Sequence, residues 1–171
     1  MHRPGRAMNV LILGLGNILL RDEGVGVHAV NAFAQRYRLP DGVETLDGGT
    51  SGMDLLDTIA GRERLIVCDA IKSDAKPGSV VRIDDVAAFF ATRISPHQLG
   101  LSDVLANLEL MGERPEHVTI VGIVPADLGL GTELSAAGRE GMERGIELLL
   151  EELAGLGVRP TPEAAAAAGT A

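Results

Sequence analysis

The stretch "LILGLGNILLRDEGVG", Leu11–Gly26, decides how the rest of the chain is read. An apolar run ends in Gly14-Leu15-Gly16, and the acidic pair Asp22-Glu23 opens a helical pattern. Val25, Ala29, Phe33 and Tyr37 recur every fourth residue with Val30 beside them, which is one apolar face of a helix. A short apolar strand, a glycine turn and an amphipathic helix form the opening of a βαβ unit.

The same alternation continues along the chain. "VETLDGGT" (43–50) predicts a second strand that turns at Gly48-Gly49. "RLIVCDA" (64–70) is apolar throughout, as a strand covered on both faces should be. "GSVVRID" (78–84) alternates and predicts a half-exposed edge strand, and "HVTIVGIVP" (117–125) is again strongly apolar. Helical patterns fill the gaps. "MDLLDTIAG" (53–61) is short and closed by Gly61. "ISPHQLGLSDVLANLELMG" (94–112) repeats Leu101, Val104, Leu105 and Leu108, after Ser95 as N-cap, Pro96 in the first turn and Gln98 as the partner in a capping box. A last helix after Ser135 buries Met142, Ile146, Leu149 and Leu153 and stops near Gly155 or Gly157.

This pattern predicts an α/β fold: a three-layer α/β/α sandwich around a mostly parallel five-stranded twisted sheet with one antiparallel edge strand. Residues 8–157 form its one domain. Residues 1–7 and 158–171, which include the low-complexity "TPEAAAAAGTA", are expected to be flexible ends. If the strand order begins 2-1-3, a crevice opens where the chain reverses, at the carboxyl ends of strands one and three.

Composition narrows the function. The 171 residues are 46 % hydrophobic and 23 % charged, ordinary for a globular protein. The net charge of −9 and the lack of any Lys/Arg block argue against nucleic acid or an anionic membrane as partner. The N-terminal "MHRPGRAM" is basic, but the apolar run behind it is short and lacks a small-x-small cleavage site. A cytoplasmic protein is expected, with Met8 as an alternative start. Cys68, the single cysteine, reads as a small buried hydrophobe. No leftover apolar stripe predicts an oligomer, so a monomer is expected.

The crevice collects chemistry. Asp22 and Glu23 follow strand one, Asp47 ends strand two, Asp69 ends strand three, and His97 lies in the first turn after Ser95. Two carboxylates and an imidazole suit zinc, nickel or a similar divalent ion, and a helix N-terminus favours the neutral imidazole that ligation needs. Spacing alone does not choose between Asp22 and Glu23. A nucleotide-binding module using Gly14, Gly16 and Asp47 is the alternative, but the third glycine of G-x-G-x-x-G is replaced by Leu19, and carboxylates stand where a pyrophosphate would dock. There is no G-x-S-x-G and no H-E-x-x-H.

Four segments in order, "GLGNILLRDEGVGVHAV", "LDGGTSGMDLL", "LIVCDAI" and "ISPHQLGLSDVL", resemble the hydrogenase maturation proteases from about Met8 to about Leu153. The resemblance implies an endopeptidase that removes the C-terminal extension of a nickel-loaded precursor of the nickel–iron hydrogenase large subunit. It implies that Glu23, Asp69 and His97 are the metal ligands and the catalytic constellation. It also implies that the turn at Asp47, Gly48 and Thr50 positions the substrate. Nickel is then contributed by the substrate, with zinc or cadmium able to substitute in vitro. The attacking group stays open between a metal-polarised carbonyl and a carboxylate-activated water, the aspartyl-type route. A chaperone that inspects nickel and cuts nothing would use the same three residues.

Overall fold

The computed structural model describes residues 7–92 and 96–163, with the backbone alone for residues 91–92, 96–97 and 99. In chain order the elements are β1 (Val10–Leu15), α1 (Val25–Arg36), β2 (Tyr37–Arg38), β3 (Val43–Gly49), α2 (Leu56–Ile59), β4 (Arg64–Ala70), β5 (Val80–Ile83), α3 (Val86–Thr92), α4 (Pro96–Met111), β6 (His117–Ile123), α5 (Ala136–Gly155) and β7 (Thr161–Pro162). The five apolar runs form one sheet in the order β3-β1-β4-β6-β5. Pairing is parallel between β1 and β3, β1 and β4, and β4 and β6. β5 runs antiparallel against β6, as its alternating pattern predicts for an edge.

Side-chain parity divides the core between two faces of the sheet. Val10 and Ile12 of β1, Ile66 and Cys68 of β4, and Val121 and Ile123 of β6 pack with Ala29, Val30 and Phe33 of α1 and with Ile146, Leu149 and Leu153 of α5. Leu11, Leu13, Leu65, Val67 and Ile120 point the other way, onto Leu101, Val104, Leu105 and Leu108 of α4 and onto Ile59 and Phe89. A fully buried Leu or Ile contributes about 1.5–3 kcal/mol relative to exposure, so either face alone is a substantial core.

The sharpest local constraint lies between α1 and the sheet. A Cβ placed on Gly26 would stand 2.1 Å from the Cys68 carbonyl oxygen and 2.6 Å from that of Leu15. α1 therefore rests its first turn directly on the backbone ends of β1 and β4. Arg36 holds its other end to α5, with Nη1 and Nη2 donating to the Glu143 carboxylate at 2.7 and 2.8 Å. That pairing raises the Arg36 pKa and lowers that of Glu143.

Two features depart from expectation. The helix α3 follows the edge strand where the sequence pattern predicted none. The flexible end expected from residue 158 is corrected for residues 158–163. Val158 is buried, Thr161 and Pro162 pair antiparallel with Arg38 and Tyr37, and the Glu163 amide donates to the Arg36 carbonyl at 2.8 Å. A two-residue strand is too short to leave a periodic signal, and the buried Val158 anchors it to the main core. The expected flexible segments 1–6 and 164–171 lie outside the described residues. Among the described residues, no helix is long and apolar enough to cross a membrane.

Candidate functional site

The sheet order places β1 between β3 and β4, so the chain reverses at β1 and the crevice lies at the carboxyl ends of β1 and β4. After β1, Gly16 turns at φ 134°, and a Cβ there would stand 2.0 Å from the Glu23 carbonyl oxygen. The space a pyrophosphate would need above this turn is filled by the chain's own backbone. Gly16 thus serves a turn and close packing, and the nucleotide alternative loses its cradle. The close helix packing that a third fingerprint glycine provides comes later in the sequence, from Gly26.

Asp22 and Glu23 sit together in a 3₁₀ turn, Arg21–Gly24, that touches the end of β4. Their side chains have different roles. Asp22 is fully buried, and its carboxylate accepts from the amides of Ala126 at 2.9 Å, Asp127 at 3.1 Å and Ser135 at 2.8 Å, and from the Ser135 hydroxyl at 2.6 Å. Ser135 in turn caps α5 by accepting from the Gly138 amide at 3.0 Å. Burial by itself would raise the Asp22 pKa, but the Ser135 hydroxyl and the three amides outweigh it and hold the carboxyl below its ordinary range. Asp22 is therefore committed to joining the loop after β1 to the loop after β6. Glu23 is half-buried.

Asp69 is the penultimate residue of β4 and is buried. It shares the parity of Leu65 and Val67, which aims it at the α4 layer. There the Gln98 amide Nε2 donates to Asp69 Oδ2 at 3.3 Å and to the Ala70 carbonyl at 3.4 Å. Sequence reading assigned Gln98 to a capping box and missed this contact; Ser95, the other half of the box, lies outside the described residues. The Gln98 contact brings the first turn of α4 to the end of β4. His97 is in that turn, but its side chain lies outside the described residues. Among the described residues no three His, Cys, Asp or Glu side chains cluster as a metal site. Glu23 and Asp69 come from touching elements, and His97 neighbours the residue that contacts Asp69.

The last residues of β3 and the turn after them complete the edge. Asp47 Oδ1 accepts from the Gly49 amide at 3.0 Å, and Oδ2 accepts from Asn31 Nδ2 of α1 at 3.2 Å. The Gly16 amide donates to the Gly49 carbonyl at 2.9 Å, which ties this turn to the one after β1. Gly48 is buried, Thr50 is exposed, and Gly52 packs against Gly100 in the early turns of α4. Cys68 is fully buried, and burial together with the adjacent Asp69 charge pushes its thiol far up, so it is no nucleophile.

Comparison with known proteins places the chain in a family. The family described as hydrogenase maturation protease, HycI, matches residues 27–152. The hydrogenase 2 maturation protease of Escherichia coli K12 is 47 % identical over 92 % of this chain and 98 % of its own length. The hydrogenase expression/formation protein HupM of Azotobacter chroococcum is 43 % identical over 92 % of this chain and 78 % of its own. The solved structure of the hydrogenase maturating endopeptidase HybD from E. coli superposes with a TM-score of 0.85 at 45 % identity, covering 91 % of this chain and 98 % of that one. The [NiFe] hydrogenase maturation protease HybD from Thermococcus kodakarensis gives 0.73 at 35 % identity, covering 86 % and 99 %. With its fold, its crevice and these relatives in accord, the chain belongs to the hydrogenase maturation proteases and is a peptidase acting in hydrogenase maturation.

Proposed function

We propose that this peptidase removes the C-terminal extension of a large-subunit precursor of a nickel–iron hydrogenase after nickel has been inserted. The observation that carries this is the meeting of three elements at one sheet edge: the 3₁₀ turn bearing Glu23, the end of β4 bearing Asp69, and the first turn of α4 bearing His97. Their donor set of two carboxylates and one imidazole fits a borderline ion such as nickel, which arrives as part of the substrate. Glu23, Asp69 and His97 recognise that ion, so cutting depends on its presence. The turn at Asp47, Gly48 and Thr50 lies beside them and holds the incoming chain. In the hydrolysis a water oxygen attacks the scissile carbonyl carbon. A carboxylate of the site accepts the water's proton and passes it to the departing amine nitrogen.

The test is to incubate the purified protein with precursor large subunit, with and without nickel, and to weigh the products by mass spectrometry. Loss of one C-terminal peptide from the nickel-loaded form alone, abolished by His97→Ala, is the expected result. Equal cutting of the nickel-free form would overturn the recognition role, and an intact precursor in both samples would overturn C-terminal processing of that precursor as this peptidase's reaction.

A further inference from the structure

The surface beside the site carries four exposed aliphatic side chains that the core does not use. Ile18 and Leu19, in the loop after β1, are 44 % and 59 % exposed, and Leu128 and Leu130, in the loop after β6, are 46 % and 83 % exposed. These two loops are one unit. The Gly131 amide donates to the Leu19 carbonyl at 2.9 Å, and the Arg21 amide donates to the Gly131 carbonyl at 2.9 Å. The Asp22 carboxylate fastens them from below through Ala126, Asp127 and Ser135. Arg21 is a non-glycine residue at φ 46°, and its strain is held by Nε donating to the Leu130 carbonyl at 3.3 Å and by its pairing with Asp127 at 3.6 Å. The four aliphatic side chains that this fixed loop pair keeps in water add nothing to the core, and an exposed apolar patch marks an interaction surface.

We infer that Ile18, Leu19, Leu128 and Leu130 form a docking platform for an apolar strip of the precursor large subunit beside its scissile bond. The inference rests on the processing function proposed above. The occupant follows from continuity with the site. The platform runs directly into the 3₁₀ turn of Glu23, whose amide donates to the Leu20 carbonyl at 3.0 Å. A polypeptide cut at the end of β4 must continue past the cut, and this platform adjoins it. β1 and β6 flank β4, so the loops joined above them border the end of that strand. Because the platform is already ordered, docking on it costs little further conformational entropy.

The experiment compares wild type with Leu130→Glu alone and with Leu19→Glu/Leu130→Glu on nickel-loaded precursor, measuring KM, kcat and the precursor Kd. Leu110→Glu/Met111→Glu, which charges the exposed end of α4 at the opposite edge, is the control. The platform variants are expected to raise KM and Kd by about tenfold or more, with kcat within about twofold. The control should match wild type. Leu130 is so exposed that its single variant reads the effect even if the double variant folds poorly. Platform variants with wild-type KM and Kd, or a control that weakens equally, would overturn the platform while leaving the processing function intact. Wild type that neither binds nor cuts the precursor would overturn that function and the platform with it.

Discussion

A carboxylate accepts at every lone pair, and the surroundings of Asp22 are built from donors alone. Asp22→Asn would turn an amide NH₂ against one set of those donors and remove the charge that strengthens the rest. A loss of about 2–3 kcal/mol in urea unfolding is expected. The pH dependence has a definite sign. The folded Asp22 pKa lies below the ordinary carboxylate value, so its contribution is full above the unfolded pKa and fades as pH falls through the folded value. The stability difference between wild type and Asp22→Asn should therefore be flat from pH 7 to about 5 and shrink below about pH 4. A difference independent of pH would mean that Asp22 is not the charged clasp. Gly26 sets a different limit, because a methyl there would meet two carbonyl oxygens that belong to the sheet and cannot turn aside. Gly26→Ala should cost about 3 kcal/mol, read by the same unfolding assay. Neither role was legible in sequence. Asp22 and Glu23 are adjacent acids whose roles diverge only because Ser135, far along the chain, comes to meet one of them.

At the scale of elements, Gln98 hydrogen-bonds the first turn of α4 to the end of β4, and this makes it a positioning residue for Asp69. Gln98→Ala should lower stability by only about 1–2 kcal/mol, yet reduce kcat on the precursor more than the folded fraction accounts for. Gln98→Glu gives a sharper reading, since it sets a second carboxylate against a buried one, and the repulsion displaces Asp69. Its kcat should fall further than that of Gln98→Ala, and an unchanged kcat in both variants would detach Gln98 from the site. The elements themselves were largely readable. Alternation marked β5 as an edge strand, and unbroken apolar runs marked β4 and β6 as interior. α3 was missed because seven residues are too few to establish a helical period. The Gln98 contact was hidden because a capping box explained the same residue locally.

At the scale of the whole molecule, the proposed function separates cutting from support along the strand axis. Glu23, Asp47, Asp69, His97 and the apolar loops gather at the carboxyl edge, a place the strand order alone marks out. The sequence reading held that order only as a condition, and the parallel pairing of β1 with both β3 and β4 meets it. The ribbon of β2 and β7 lies at the other end, where α1 finishes, and it left no pattern to read. Ending the chain after Gly157 separates the two ends experimentally. It removes the buried Val158, worth about 1.5 kcal/mol at most. It also removes the exposed Arg38–Glu163 ion pair, worth at most about 1 kcal/mol. The total of at most about 2.5 kcal/mol should lower Tm by at most about 10 °C for a chain of this size. The cutting edge is untouched, so kcat/KM on the nickel-loaded precursor, measured well below the lowered Tm, should equal that of the full chain. A truncated chain that melts normally but cuts poorly would show that the amino edge takes part in holding the precursor, and the division between the two edges would fail.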